Sequence, residues 1–457
     1  MRFDMLAAPV DGVAEAYDVV GGFDEVLVQG LLRPGTEQVA ALQALAGAVS
    51  VTPLAGRTAE AVEKTIAGSI AEEHVAALVA ARSALLGAAH DALLARLDEA
   101  AGRAREPWPG AAGGAAAGEN LLAAARSWLS DLAIAGWRGI DHDLVSHADQ
   151  AVAALLAEPR LRRLGGLLDG FAGELRAWCP GATMPRVPVR RWADLWARAV
   201  LLAQPGALAP VPVGTVSGRL LPLGVDLHEH PTAVQAQVHA VLETADGPRL
   251  VRASVSAPKV DTLVGLGVWQ LLRGHSALLG AYSEQRAMEL TDMPVTAGGD
   301  LIWSDACAKA GEPAESFATA RVLLAAATAA PVPPLERHPV RLAEPVLVEG
   351  YAAAAQDDAV TLTLPGLTIE VDRLHSAGPL TPALVAASTA CVGLLRWDGR
   401  WLLQPLVVEA PVKRKTVAVH AGAWAGGASD AAGAKAEAAA ADAVKVLRER
   451  AGRLLRR

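Results

Sequence analysis

Up to Gln204 apolar residues recur mostly at three- and four-residue intervals, and beyond Val213 they tend to alternate with polar ones. The first spacing predicts helices and the second half-buried strands. After the turn Arg33-Pro34-Gly35, the positions Val39, Leu42, Leu45, Ala46 and Val49 predict one helix, and Ala59 to Ile66 predicts the next. A long helix is expected from Ala71 to about Ala101, with Val75, Leu78, Val79, Leu85, Leu86, Leu93, Leu94 and Leu97 on one face. Ahead of these, Glu25 to Gln29 reads as a short strand.

Helical spacing resumes at Glu119, through Leu122, Trp128, Leu129, Leu132 and Trp137 to Leu164, Leu168 and Phe171. A last helix is expected over Val189 to Ala203, carrying Trp192, Leu195, Trp196 and Val200. Past Val213, Val234–Glu243 and Leu250–Val255 flank Asp246-Gly247, and Val392–Trp397 and Arg400–Val408 flank Asp398-Gly399. Val360–Leu364 and Leu367–Val371 flank Pro365-Gly366. These are hairpin signatures. Helical stretches at Thr262–Ala281 and Ala314–Ala329 interrupt them.

The expected class is therefore α+β: an N-terminal helical region, then an antiparallel β-rich domain, a sheet or small barrel, with inserted helices, and a C-terminal amphipathic helix. Glycine, proline and alanine mark the boundaries. The units are a helical domain at 1–105, a linker at 106–118, a second helical domain or its continuation at 119–204, a Pro-rich linker at 205–212, the β-rich domain at 213–412, a flexible linker at 413–433 and a basic helix at 434–457. In that last helix Ala440, Val444, Leu447, Ala451 and Leu454 form a narrow apolar seam, and Lys445, Arg448, Arg450, Arg453, Arg456 and Arg457 cover the other faces. The late cations also complement the helix macrodipole, a purely structural reason for some of them.

Charge sharpens this picture. The chain carries a net charge of −8, yet residues 413–457 hold ten Lys or Arg against four Asp or Glu. A basic tail on an acidic body points to docking on something acidic: a protein, a nucleic acid or the body itself. With 457 residues, 52% hydrophobic and 20% charged, the rest has ample material for packed cores. Cys179, Cys307 and Cys391 are widely spaced and form neither a zinc-finger pattern nor a disulfide framework. Asp4, Asp11 and Glu15 lie where a secretory signal would be cationic and apolar, and the longest apolar run, Val322 to Val332, is short for a membrane span. The expectation is a cytoplasmic protein.

Chemical signals are sparse. Gly274-His275-Ser276-Ala277-Leu278 follows the apolar run Val268–Leu272 and has the beginning of a hydrolase nucleophile elbow, but Leu278 stands where the second glycine is needed. The alternative is a helix carrying an incidental Ser-His pair. His228 and His230 would share a face if their segment is a strand, and Asp226, His239 or Asp261 could complete a metal site, though nothing in the sequence identifies the further ligand; the plain reading is a polar loop ended by Pro231. Asp141-His142-Asp143 with His147 reads as a helix start with acidic first-turn residues. Gly265-Leu-Gly267 lacks a third glycine, and no phosphate-binding loop occurs, so no nucleotide cofactor is expected. Lys413-Arg414-Lys415 beside Trp424 is a thin basic patch that nucleic acid could use.

Residues 120–300 contain the strings Ala125-Arg-Ser-Trp-Leu-Ser-Asp-Leu132, Leu161-Arg-Arg-Leu164 and Gly218-Arg-Leu-Leu-Pro-Leu223. In these strings and in its order of parts the region resembles the body that follows the zinc finger in bacterial SWIM-finger proteins. The zinc ligands of that family are missing, so neither zinc nor nucleic-acid binding is implied. The resemblance implies partners of the MoxR-type ATPase and von Willebrand A-domain kind. Together these readings point to a non-catalytic interaction or scaffold component that docks through Val444, Leu447, Ala451 and Leu454, with Arg448 and Arg450 beside them. The alternatives are a hydrolase or metal-dependent enzyme using His275 and Ser276 or His228 and His230, and a nucleic-acid-binding protein.

Overall fold

The structure is a computed structural model and describes residues 1–110, 118–208, 212–260, 263–356, 359–362, 364, 367–412, 415–427 and 431–439. Helices fill the first part: α1 Phe3–Ala7, α2 Val13–Gln29, α3 Thr36–Ala48, α4 Ala55–Ile66, α5 Glu72–Ala101, α6 Glu119–Ala135, α7 His142–Ser146, α8 Ala148–Ala157, α9 Arg162–Trp178 and α10 Val189–Leu202. Glu25–Gln29 is not a strand but the last turns of α2. The helical repeat of Val20, Phe23, Val26 and Leu27, all buried, outweighs the β-branched residues in that short window.

One core joins the helices on both sides of residues 106–118, running from Phe23 to Ala203. At its centre Trp137 meets Phe171, Trp192 and Trp196 edge to face, with ring centroids 6.3, 5.9 and 6.3 Å apart. Helix α5 is long and apolar enough to cross a membrane by length and composition, and half of its most apolar window is buried in the protein. That helix serves two cores. Val75, Leu78 and Val79 belong to the helical one, whereas Leu93, Leu94 and Leu97 pack with residues of the strand-rich part such as Val348, Leu395 and Leu403.

The second part contains β1 Gly214–His230, β2 Ala233–Thr244, β3 Gly247–Pro258, α11 Gly267–Leu271, α12 Ser276–Ser283, β4 Arg286–Val295, β5 Ala308–Pro313 and α13 Ser316–Leu323. There follow β6 Glu344–Glu349, β7 Ala353–Gln356, β8 Ala359–Leu362, β9 Thr368–Ile369, α14 Pro382–Ala386, β10 Ala390–Trp397, β11 Trp401–Val412 and β12 Lys415–His420. The first sheet has the order β3-β2-β1-β4-β5 and is antiparallel throughout. In the second the order is β6-β10-β11-β9-β8-β7, with β12 also on β11 and a single short parallel pairing between β11 and β9. The strands of all three sequence-predicted hairpins pair antiparallel, β2 with β3, β8 with β9 and β10 with β11, and the turn Pro365-Gly366 lies outside the described residues.

Alternation decides which face of the first sheet meets what. Leu220, Val225, Val238 and Leu242 pack under α11 and α12, against Trp269, Leu278 and Tyr282. From the opposite side Leu223 and Val241 pack on Val392, Leu394, Leu406 and Val407 of the second sheet, with Phe317 of α13 beside them. The two predicted internal helices are shorter than their spacing implies. A 3-10 turn at Arg273–His275 breaks the first, and the second ends at Leu323. Residues 415–427 differ from the expected linker: β12 extends the second sheet, and Trp424 is only 7% exposed.

A proline-rich strap, residues 331–341, leaves the region after α13 and crosses the helices before β6. Leu335 packs on the helical core, Arg337 Nη1 reaches Asp91 Oδ2 of α5 at 3.1 Å, and His338 Nε2 lies 2.9 Å from Asp194 Oδ1 of α10. This strap fixes the helical and strand-rich parts to one another.

Candidate functional site

Between α11–α12 and the chain after β12 lies a cavity of about 400 Å³, walled by Trp269, Arg273, Ser276, Leu279, Trp424 and Glu437 among others. Trp269 is held by its Nε1 donating to the Ala377 carbonyl at 2.8 Å. The start of α12 receives Asp305 Oδ2, which accepts from Ala277 N at 3.2 Å. Behind the cavity's C-terminal wall, before Trp424, Gly422 passes so close to Tyr282 that a Cβ would fall 2.4 Å from its ring. The chain is helical again over 431–439, where Gly433 is buried and Ala436 and Glu437 are half-buried while their neighbours are exposed. A Cβ on Gly433 would lie 2.7 Å from Trp424 Nε1, so only glycine lets the helix approach the indole this closely.

Ser276 opens onto this cavity, but not as an elbow nucleophile. The run Val268–Leu272 is α11 and its end, not a strand, and Leu278 and Leu279 are buried at helical spacing. Core packing of a helix has won over the short apolar run. Among the described residues no hydrogen bond joins His275 to Ser276.

His228 and His230 do lie on a strand, at the end of β1, and alternation puts them on one side. Each is engaged by a different carboxylate: His228 Nε2 lies 2.9 Å from Asp226 Oδ2, and His230 Nε2 lies 3.3 Å from Glu174 Oε1 of α9. His239 is fully buried opposite Gly224, and neither of its ring nitrogens has a partner among the described residues. Asp261 lies outside the described residues. Among those residues no group of three potential metal ligands converges. Asp141 is the N-cap of α7, its side chain accepting from Leu144 N at 2.8 Å, as a helix start requires.

Three ionic clusters, two of them buried, had no local signature in the sequence. Asp226, only 3% exposed, receives Arg396 Nη2 of β10 at 2.5 Å and Gln404 Nε2 of β11 at 2.7 Å, and so ties the two sheets together. Burial pulls its carboxyl upward, but His228, Arg396 and Gln404 outweigh that and hold it well below the ordinary range. In the helical core Arg82 joins Asp24 and Asp194. Where the strap crosses α9 and α10, Glu336 receives Arg163, Arg198 and Arg341. Their partners are far apart in sequence, 144 residues for Asp194 and His338.

The seam residues Val444, Leu447, Ala451 and Leu454, with Arg448 and Arg450, lie outside the described residues, as do Lys413 and Arg414. Trp424 is packed under Gly433 and is not offered as a stacking surface beside Lys415. Comparison with known protein families, with curated proteins and with solved structures finds no match to this chain.

Proposed function

We propose that the protein is an interaction component of a multiprotein assembly and that its C-terminal basic helix is the docking element. The observation that carries this reading is the stripe Gly433 and Ala436, the positions of the 431–439 helix turned to the body. In the sequence the same three- and four-residue spacing continues through Ala440, Val444, Leu447, Ala451 and Leu454. Residues 440–457 add six Lys or Arg against two acids, which suits an acidic groove on the partner. A helix presenting an apolar stripe with cations beside it is a recurrent recognition mode. A partner of the MoxR-type ATPase or A-domain class is what the resemblance of residues 120–300 supplies.

The test compares the intact chain with a chain lacking residues 440–457 and with Leu447→Glu/Leu454→Glu. Each is mixed with a purified MoxR-type ATPase and, separately, with a purified von Willebrand A-domain protein, and the chain alone is sized by light scattering. Loss of a complex or of self-association, with melting unchanged, supports the reading. Retention of every association by the shortened chain refutes it.

A further inference from the structure

Where the strap crosses the helices, three guanidiniums share one carboxylate. Glu336 Oε1 accepts from Arg163 Nη2 of α9 and, at 2.8 Å, from Arg198 Nη2 of α10, while Arg341 Nη2 lies 2.6 Å from Oε2. One negative charge against three leaves a surplus of two positive charges. The acids nearby are already committed: Asp91 to Arg337, Asp194 to Arg82 and His338, and Asp300 to Arg252.

The cluster is also within reach. The side chains of Arg163 and Arg341 are 56% and 43% exposed, and among the described residues neither uses its Nε or Nη1 in a hydrogen bond. Helix α9 begins with Arg162-Arg163 and has no acid in its first turn, so its positive end adds to the same field.

We propose that this cluster is a binding site for a phosphate dianion, free or as a phosphomonoester, held by the unused N–H groups of Arg163 and Arg341 beside Glu336. The planar guanidinium matches phosphate oxygens in pairs and keeps its charge. A dianion balances the surplus of two, which chloride or a single carboxylate does not. Arg163 belongs to the helices and Arg341 to the strap, so the anion fastens the junction between the two parts of the chain. Glu336 repels the anion and thereby sets the affinity.

The test is calorimetric titration of the full chain with inorganic phosphate and, separately, with glycerol phosphate, at constant ionic strength in chloride. Saturable binding is expected, weakened about tenfold by Arg163→Gln, the loss of one charge-assisted contact. Glu336→Gln is expected to tighten it. Arg176→Gln, on the same helix but paired with Asp149, serves as the control and leaves it unchanged. Preference for one titrant tells free phosphate from an ester. No saturable binding of either, equal weakening by Arg163→Gln and Arg176→Gln, or weaker binding in a Glu336→Gln chain that is folded at the titration temperature, overturns the proposal.

Discussion

Arg82 forks across Asp24, Nε donating to Oδ1 at 2.6 Å and Nη2 to Oδ2 at 2.8 Å, where the arginine is 1% exposed and the aspartate 2%. The same Nη2 donates to Asp194 Oδ1 at 2.6 Å, and His338 of the strap lies against that oxygen. One guanidinium thus links α2, α5 and α10, and through Asp194 the strap.

Removing Arg82 alone leaves Asp24 in a dry core without its cation and Asp194 with His338 as its one remaining named partner. Arg82→Leu is expected to cost about 3–5 kcal/mol, the range for breaking a buried ion pair from one side. Adding Asp24→Leu in the same chain recovers part of that loss, since one stranded charge is gone. Urea unfolding of the single and double variants checks this. Equal and additive losses would show that the fork contributes no coupling.

His239 gives the opposite expectation. Burial holds its ring neutral and lowers its pKa from 6.5 to about 3. The unfolded chain gains a proton as pH falls through 6.5, while the folded chain takes none until about 3, so folding loses stability across that window. Two unpartnered ring nitrogens in the core add an uncompensated desolvation cost. His239→Leu is therefore expected to be at least as stable as the parent at pH 7, and its urea midpoint should fall less between pH 7 and pH 5. A marked loss of stability at pH 7 would contradict the unpartnered geometry.

Much of the fold was legible because its cause is local. Leu78, Leu86, Leu93 and Leu97 repeat on one face of α5, and Asp246-Gly247 and Asp398-Gly399 mark tight turns whatever surrounds them. The failures have one origin. Glu25–Gln29 and Val268–Leu272 are short apolar runs whose type is decided by neighbours at helical spacing, and five residues do not contain that information. The candidate site shows the same division. His228 and His230 were visible as a pair, but the acids that hold them, Asp226 and Glu174, come from alternation and from a helix 56 residues away. Arg82 looks in sequence like a polar interruption of an apolar helix. Only packing reveals that its partners are 58 and 112 residues distant.

The strap is expected to loosen in acid. Burial raises the Glu336 carboxyl, but Arg341, Arg198 and Arg163 together bring it from 4.5 down to about 2. A carboxyl depressed in the folded state contributes stability above its unfolded value, and that contribution is lost as pH falls from there to the folded value. The window is therefore pH 4.5 to 2. Urea midpoints of the parent and Glu336→Gln should differ most above pH 5 and converge through that window. A gap that stays constant down to pH 2.5 would remove Glu336 from the account of acid sensitivity.

Gly433 makes the docking of the terminal helix testable without deleting it. Any side chain there meets the Trp424 ring nitrogen at about van der Waals overlap, and that ring is part of the core beneath α11 and α12. Among the described residues the helix meets the body through Gly433, Ala436 and Glu437. Gly433→Val should lift it while leaving the two sheets intact. Hydrogen exchange is expected to quicken over residues 424–439 and to stay unchanged in β1, β2 and β10. The melting temperature should move little, because the strain is relieved by a surface element and not by the core. If the terminal stripe serves a partner, Gly433→Val also frees it, and association in the mixing experiment should strengthen. Unchanged exchange over 424–439 would mean that the indole yields instead of the helix.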